Sequence, residues 1–115
     1  MIRRKDSTCV VVNEKMRGGD GRVVIEHLLD KDELHGKGRL YARLTLKQGC
    51  SIGYHVHEGE METFYVIKGT ASYNDNGTQV ELQCGDVAYT PDGCGHSVSN
   101  NHAEDLELIA LIVFS

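Results

Sequence analysis

At 115 residues the chain has room for one hydrophobic core and not for two. A net charge of −5 argues against a nucleic-acid partner gripped through phosphates. No apolar run reaches the roughly 18 residues a membrane span needs, and the basic start Met1–Asp6 is followed by no apolar stretch, so no signal peptide is read there. The expectation is a cytoplasmic protein with a small-molecule ligand, no nucleic acid and no membrane. Cys9, Cys50, Cys84 and Cys94 form no CxxC pair, which disfavours a thiolate zinc site. They read as free, buried cysteines behaving as small apolar residues, with Cys94 close enough to His96 to line a site there.

Taken in chain order, short β-branched and aromatic runs alternate with glycine and Asn/Asp turns, and no segment keeps a 3.6-residue apolar period over helical length. The fold class is all-β, a sandwich or barrel. Strands are expected over residues 8–12, 22–29, 38–47, 52–57, 62–68, 70–74, 78–82, 86–90, 96–100 and 106–114. The polar stretch Asp30–Gly36 reads as a loop or one helical turn. The first 20 residues read as an appendage, so residues 1–38 are expected to pack their strands and loop on the barrel or on a dimer partner, with residues 39–115 forming the barrel.

Three connections have legible chemistry. Gly18-Gly19-Asp20-Gly21 separates the first two strands and calls for the positive φ that glycine adopts freely. Asn76-Gly77, between Ser72–Asp75 and Thr78–Leu82, is a strong hairpin signal. In Pro91–Gly95 the proline fixes φ and two glycines permit tight bends, delivering His96 to the start of the next strand.

His55 and His57 lie two apart, so a strand sends both to one face. Glu62 follows after four residues, and His96 arrives from a segment that could fold back onto them. Three imidazoles and a carboxylate suit a first-row divalent ion, with one or two coordination positions left open. Phe64 and Val66 share the face of Glu62; Val98 and Asn100 share that of His96.

These residues also fall into two longer patterns. Gly49, five residues, His55-Val56-His57, four residues, Glu62, six residues, Gly69 is the first; Gly85, five residues, Pro91, one residue, Gly93, two residues, His96, three residues, Asn100 is the second. With them the chain resembles the single-domain microbial cupins of the cupin 2 conserved barrel family. The resemblance implies a double-stranded β-helix, a small jelly-roll barrel, holding one metal through His55, His57, Glu62 and His96. Manganese, iron and nickel come first, with zinc possible. It further implies a metalloenzyme acting on a small organic acid or oxidisable substrate, oxalate-decarboxylase-like or dioxygenase-like. The alternative is a non-catalytic cupin that binds or senses a small ligand or metal; a sugar isomerase is a third reading, without a basic phosphate cluster to favour it.

Elsewhere the signals are weaker. Asn100 is expected to brace a loop rather than touch ligand. His27 is expected to face solvent or a partner chain, and His35 and His102 to be solvated. Glu58 and Glu60 read as surface residues. Arg39, Tyr41, Arg43 and Thr45 share one face of their strand, and Leu40, Ala42, Leu44 and Leu46 the other; the hydrophobic rule turns the leucines inward, while Arg43 would serve as a carboxylate clamp only if its face looked in. Tyr54, Tyr65 and Tyr89 line the pocket mouth or simply pack. The run Leu108–Phe114 is too continuously apolar for one wet face, which points to a homodimer.

Overall fold

A computed structural model describes all 115 residues as ten β-strands and three short 3₁₀ turns, with no α-helix. The strands are β1 (Cys9–Glu14), β2 (Arg22–Leu29), β3 (Gly38–Leu46), β4 (Ser51–Val56), β5 (Glu60–Lys68), β6 (Ala71–Asp75), β7 (Thr78–Leu82), β8 (Val87–Thr90), β9 (Gly95–Ser99) and β10 (Leu106–Phe114). They form two antiparallel sheets, one in the order β1-β2-β3-β10-β5-β8 and one in the order β4-β9-β6-β7.

The period-two pattern decides which side of each strand enters the core. On β3 the side chains Ala42, Leu44 and Leu46 are buried, and on β10 Leu106, Leu108, Ala110 and Ile112 are. Phe64 and Val66 of β5 join them from the same sheet. Ile52, Ala71, Tyr73, Leu82 and Val98 close the core from the other. Arg43 of β3 looks outward, Arg39 at the start of the strand instead borders the inner cavity, and the outer face of β10 is half-buried within the chain.

The hairpin at Asn76-Gly77 is as expected: φ is +49° and +102°, both positive, as a type I′ turn requires. The cysteines depart from expectation. Cys9 and Cys84 are exposed and Cys50 and Cys94 half-buried, all four free, so none acts as a fully buried apolar residue. No helix is long and apolar enough to cross a membrane.

The N-terminal strands are continuous with the larger sheet. β2 pairs with β3 along its length and contributes Val23 and Ile25 to the core, while β1 is exposed throughout. Between them, residues Met16–Gly19 cross to the smaller sheet and lie on β4. Gly19 and Gly53 make this possible: a Cβ on either would overlap the other segment's backbone. Asp20 and Ser51 lock the crossing, Ser51 N–H donating to Asp20 O and Asp20 N–H to Ser51 Oγ, both at 2.8 Å.

Candidate metal centre

The four expected residues arrive from three strands and one loop. His55 sits on β4 and His57 just past its end, Glu62 near the start of β5, and His96 at the start of β9 directly opposite His55. The register of β4 against β9 shifts between Ile52 and His55. Gly53 and Tyr54 of β4 there lie opposite the single residue Ser97 of β9, and this bulge turns both Ile52 and His55 inward. The Pro91–Gly95 turn is tied to the same place, with Gly93 N–H donating to His57 O at 2.7 Å and His57 N–H to Cys94 O at 3.0 Å.

One donor atom from each of the four residues lies within 4.8 Å of all the others, and His57, Glu62 and His96 are buried. Glu62 Oε1 is 2.9 Å from Nε2 of both His57 and His96, and those two nitrogens are 3.0 Å apart. Adjacent corners of an octahedron with bonds of about 2.1 Å are roughly 3.0 Å apart, so the triangle has the size of one octahedral face. The donor set and its spacing therefore fit a divalent ion.

The opposite side of each imidazole is already engaged. His55 Nδ1–H donates to Gly53 O at 2.7 Å, and His57 Nδ1–H to Glu60 Oε2 at 2.6 Å. A carbonyl and a carboxylate can only accept, so both rings carry a proton on Nδ1 and turn Nε2 toward the centre. His96 Nδ1 contacts the hydroxyls of Tyr73 at 2.7 Å and Thr90 at 3.0 Å, and its ring stacks on Phe64 with centroids 5.0 Å apart.

Electrostatics follow from these contacts. Hydrogen bonding to Glu62 raises the His57 pKa, and burial lowers that of His55. Burial alone would raise Glu62, but His57 and His96 outweigh it and hold the carboxyl below its usual range. Burial pushes Tyr73 up to about 12, so it stays a neutral hydroxyl.

Several expectations need correction. Glu60 is no surface residue: its carboxylate takes two 2.7 Å hydrogen bonds from Arg39 as well as the one from His57, and these pairings bring its pKa down to about 2. Glu58 is exposed. His27 lines the cavity beside His55, His57 and Glu62, a space of about 220 Å³ that Met16, Arg17, Arg39 and Leu40 also border. Arg43 is remote from it, held outside the sheet by two 2.8 Å hydrogen bonds to Glu26. Tyr54, Tyr65 and Tyr89 are exposed and do not border the cavity, nor does Cys94. Asn100 braces the far end of β9, its amide donating to Leu46 O and Glu104 O.

The cupin domain profile matches residues 42–114. An oxalate-binding protein of Thermotoga maritima is 46% identical over 98 residues, covering 85% of this chain and 81% of its own. The crystal structure of a predicted oxalate decarboxylase from the same organism superposes over the full length of both chains, with a TM-score of 0.95 and 41% identity. A double-stranded β-helix protein of Klebsiella pneumoniae, 24% identical and covering 85% of this chain and 82% of its own, shares the fold with a TM-score of 0.70. The ten strands are thus a double-stranded β-helix, and the chain belongs to the cupin family.

Proposed function

We propose that the protein holds one divalent metal ion through His55, His57, Glu62 and His96 and binds a small organic acid, oxalate or a close analogue, beside it. The observation that carries the reading is the triangle of His57, His96 and Glu62 donors, with His55 and His57 each turned inward by an obligate acceptor on the far nitrogen. Without a cation, lone pairs and a carboxylate oxygen converge on one point and only protons separate them; a metal displaces those protons. A mixed imidazole and carboxylate set suits manganese, iron or nickel, with zinc close behind. When bound, the ion supplies Lewis acidity and an open position for a chelating acid. The chain's own residues do the rest. Glu60 and Arg39 keep His57 in one tautomer, Tyr73 and Thr90 steady His96, and Phe64, Leu40 and Ile112 keep the surround apolar.

The oxalate-binding relative supports a small carboxylate as ligand. A catalytic reading, decarboxylase-like or dioxygenase-like, has one specific support in His27, a titratable group on the cavity wall that is not part of the four-residue cluster. No carboxylic acid other than Glu62 borders the cavity, which favours binding over decarboxylation. The deciding experiment is metal content, oxalate binding and dioxygen uptake on anaerobically purified protein beside His57→Ala. One ion per chain and oxalate binding, both lost in the variant, are expected. Turnover would add catalysis; a metal-free wild type that takes up no added manganese, iron, nickel or zinc would sink the proposal.

Four free cysteines suit a reducing, cytoplasmic setting, which disulfide mapping of protein isolated from its cells would test. The exposed valines of β1, with Tyr65 and Tyr89 on the larger sheet, support a homodimer built through the first 38 residues and the outer face of that sheet. Sedimentation should then give twice 12.7 kDa, and a monomer at micromolar concentration would count against it.

A further inference from the structure

The cavity wall carries two arginines in very different states. Arg39 is fully neutralised by its paired hydrogen bonds to Glu60. Arg17, on the segment that crosses β4, has no hydrogen-bond or carboxylate partner at all. Of the six arginines, four are in ion pairs, and the other unpaired one, Arg4, lies in an outer groove away from the metal centre. Arg17 is solvent-exposed, yet it borders the same cavity as His55 and the buried His57 and Glu62, and so puts a free positive charge at the rim of that cavity in a chain of net charge −5.

The backbone under Arg17 is unusual too. Lys15 and Arg17 both sit in the left-handed region, at φ +51° and +56°, where a side chain other than glycine, asparagine or aspartate is uncommon. The turn is held there by Gly18 N–H donating to Lys15 O at 2.9 Å, Gly19 N–H to Met16 O at 3.0 Å and Lys15 N–H to Gly21 O at 2.9 Å. Gly19 against Gly53 then fixes the turn on β4, two residues from His55.

Charge arithmetic then narrows the ligand, taking the carboxylate pocket proposed above as the starting point. A divalent ion with ionised Glu62 leaves one net positive charge, Arg39 and Glu60 cancel, and Arg17 adds a second. We propose that Arg17 is the residue that recognises the ligand's outer carboxylate, making the pocket selective for small dianionic dicarboxylates over monocarboxylates. A planar guanidinium can grip such a carboxylate through two parallel hydrogen bonds. A dianion also leaves the filled cavity neutral, and 220 Å³ suits a ligand of a few carbons.

Titration calorimetry of the manganese-loaded protein with oxalate and with acetate tests this, using wild type, Arg17→Gln and Arg17→Lys. A hydrogen-bonded charge of this kind is worth about ten-fold or more in affinity. The Gln variant should lose that factor for oxalate and much less for acetate, with unchanged manganese stoichiometry and melting temperature. The Lys variant should fall between the two. Oxalate affinity equal in wild type and Arg17→Gln would overturn the role of Arg17 while leaving the carboxylate pocket standing. A lowered melting temperature in both variants, with Lys no better than Gln, would assign the loss to the turn rather than the guanidinium, and overturn it likewise. A manganese-loaded wild type that binds neither acid would instead remove the pocket reading on which this rests.

Discussion

The two ends of the barrel are built from the same strands and do opposite things. At one end β4, β5 and β9 present His55, Glu62 and His96; a step or two along, the same inner faces carry Ile52, Phe64, Val66 and Val98. β3 and β10 supply Leu46, Leu106 and Leu108 to the apolar end and reach the polar end as Arg39, Leu40, Leu44 and Ile112. Apart from the bulge in β4, alternation runs through both ends, so backbone geometry does not by itself separate stability from chemistry. Residue type at a given height in the barrel does, and the apolar end carries the folding energy that lets the polar end gather three imidazoles and a carboxylate.

That division should be separable by mutation. Glu62→Gln keeps the shape of the side chain but removes its charge and one of the oxygens proposed to hold the metal. Metal content is expected to fall from one ion per chain to well below stoichiometric, while the fold persists by circular dichroism; full loading of this variant would show that the carboxylate is not needed. Leu108→Ala at the other end should do the reverse. Truncating a fully buried leucine costs about 2–5 kcal/mol, to be read from denaturant unfolding, with full metal loading below the midpoint. Loss of metal at full folding would mean the ends are coupled.

Much of this division was legible beforehand. All ten strands form, with ends within two residues of expectation, because glycine and Asn/Asp turns punctuate a clean period-two pattern. The four converging residues were legible from spacing. Two misreadings have a shared cause. Val23 and Ile25 point inward, so alternation carries His27 inward as well. Likewise β5 begins at Glu60 rather than Glu62, which puts both glutamates on one buried face. Arg17 had no local signal. It reaches the cavity through a left-handed turn without glycine at that position and a contact with β4 more than 30 residues away, and neither leaves a pattern in the sequence.

Smaller effects probe what supports the polar end. Glu60 touches no other member of the four-residue cluster than His57, whose tautomer it sets from the far nitrogen. Such partners typically contribute 10–100-fold in metal affinity, so Glu60→Gln should weaken metal binding by roughly that factor in a competition titration without abolishing it. An unchanged affinity would show that the tautomer is fixed by something else.

Acid should expose the same residue more gently. Arg39, and after it His57, hold the Glu60 carboxyl at about 2, below its ordinary 4.5. A carboxyl depressed on folding stabilises the native state above its unfolded pKa, and that contribution fades as pH falls through the folded one. The metal-free protein should therefore lose stability between about pH 5 and pH 2, by an amount that the partial exposure of Arg39 keeps modest. Glu60→Gln has no carboxyl to protonate, so its melting temperature should fall less over the same window. Equal acid sensitivity in both proteins would place the labile charge elsewhere, with Glu62, whose carboxyl is also held low between His57 and His96, the next to replace.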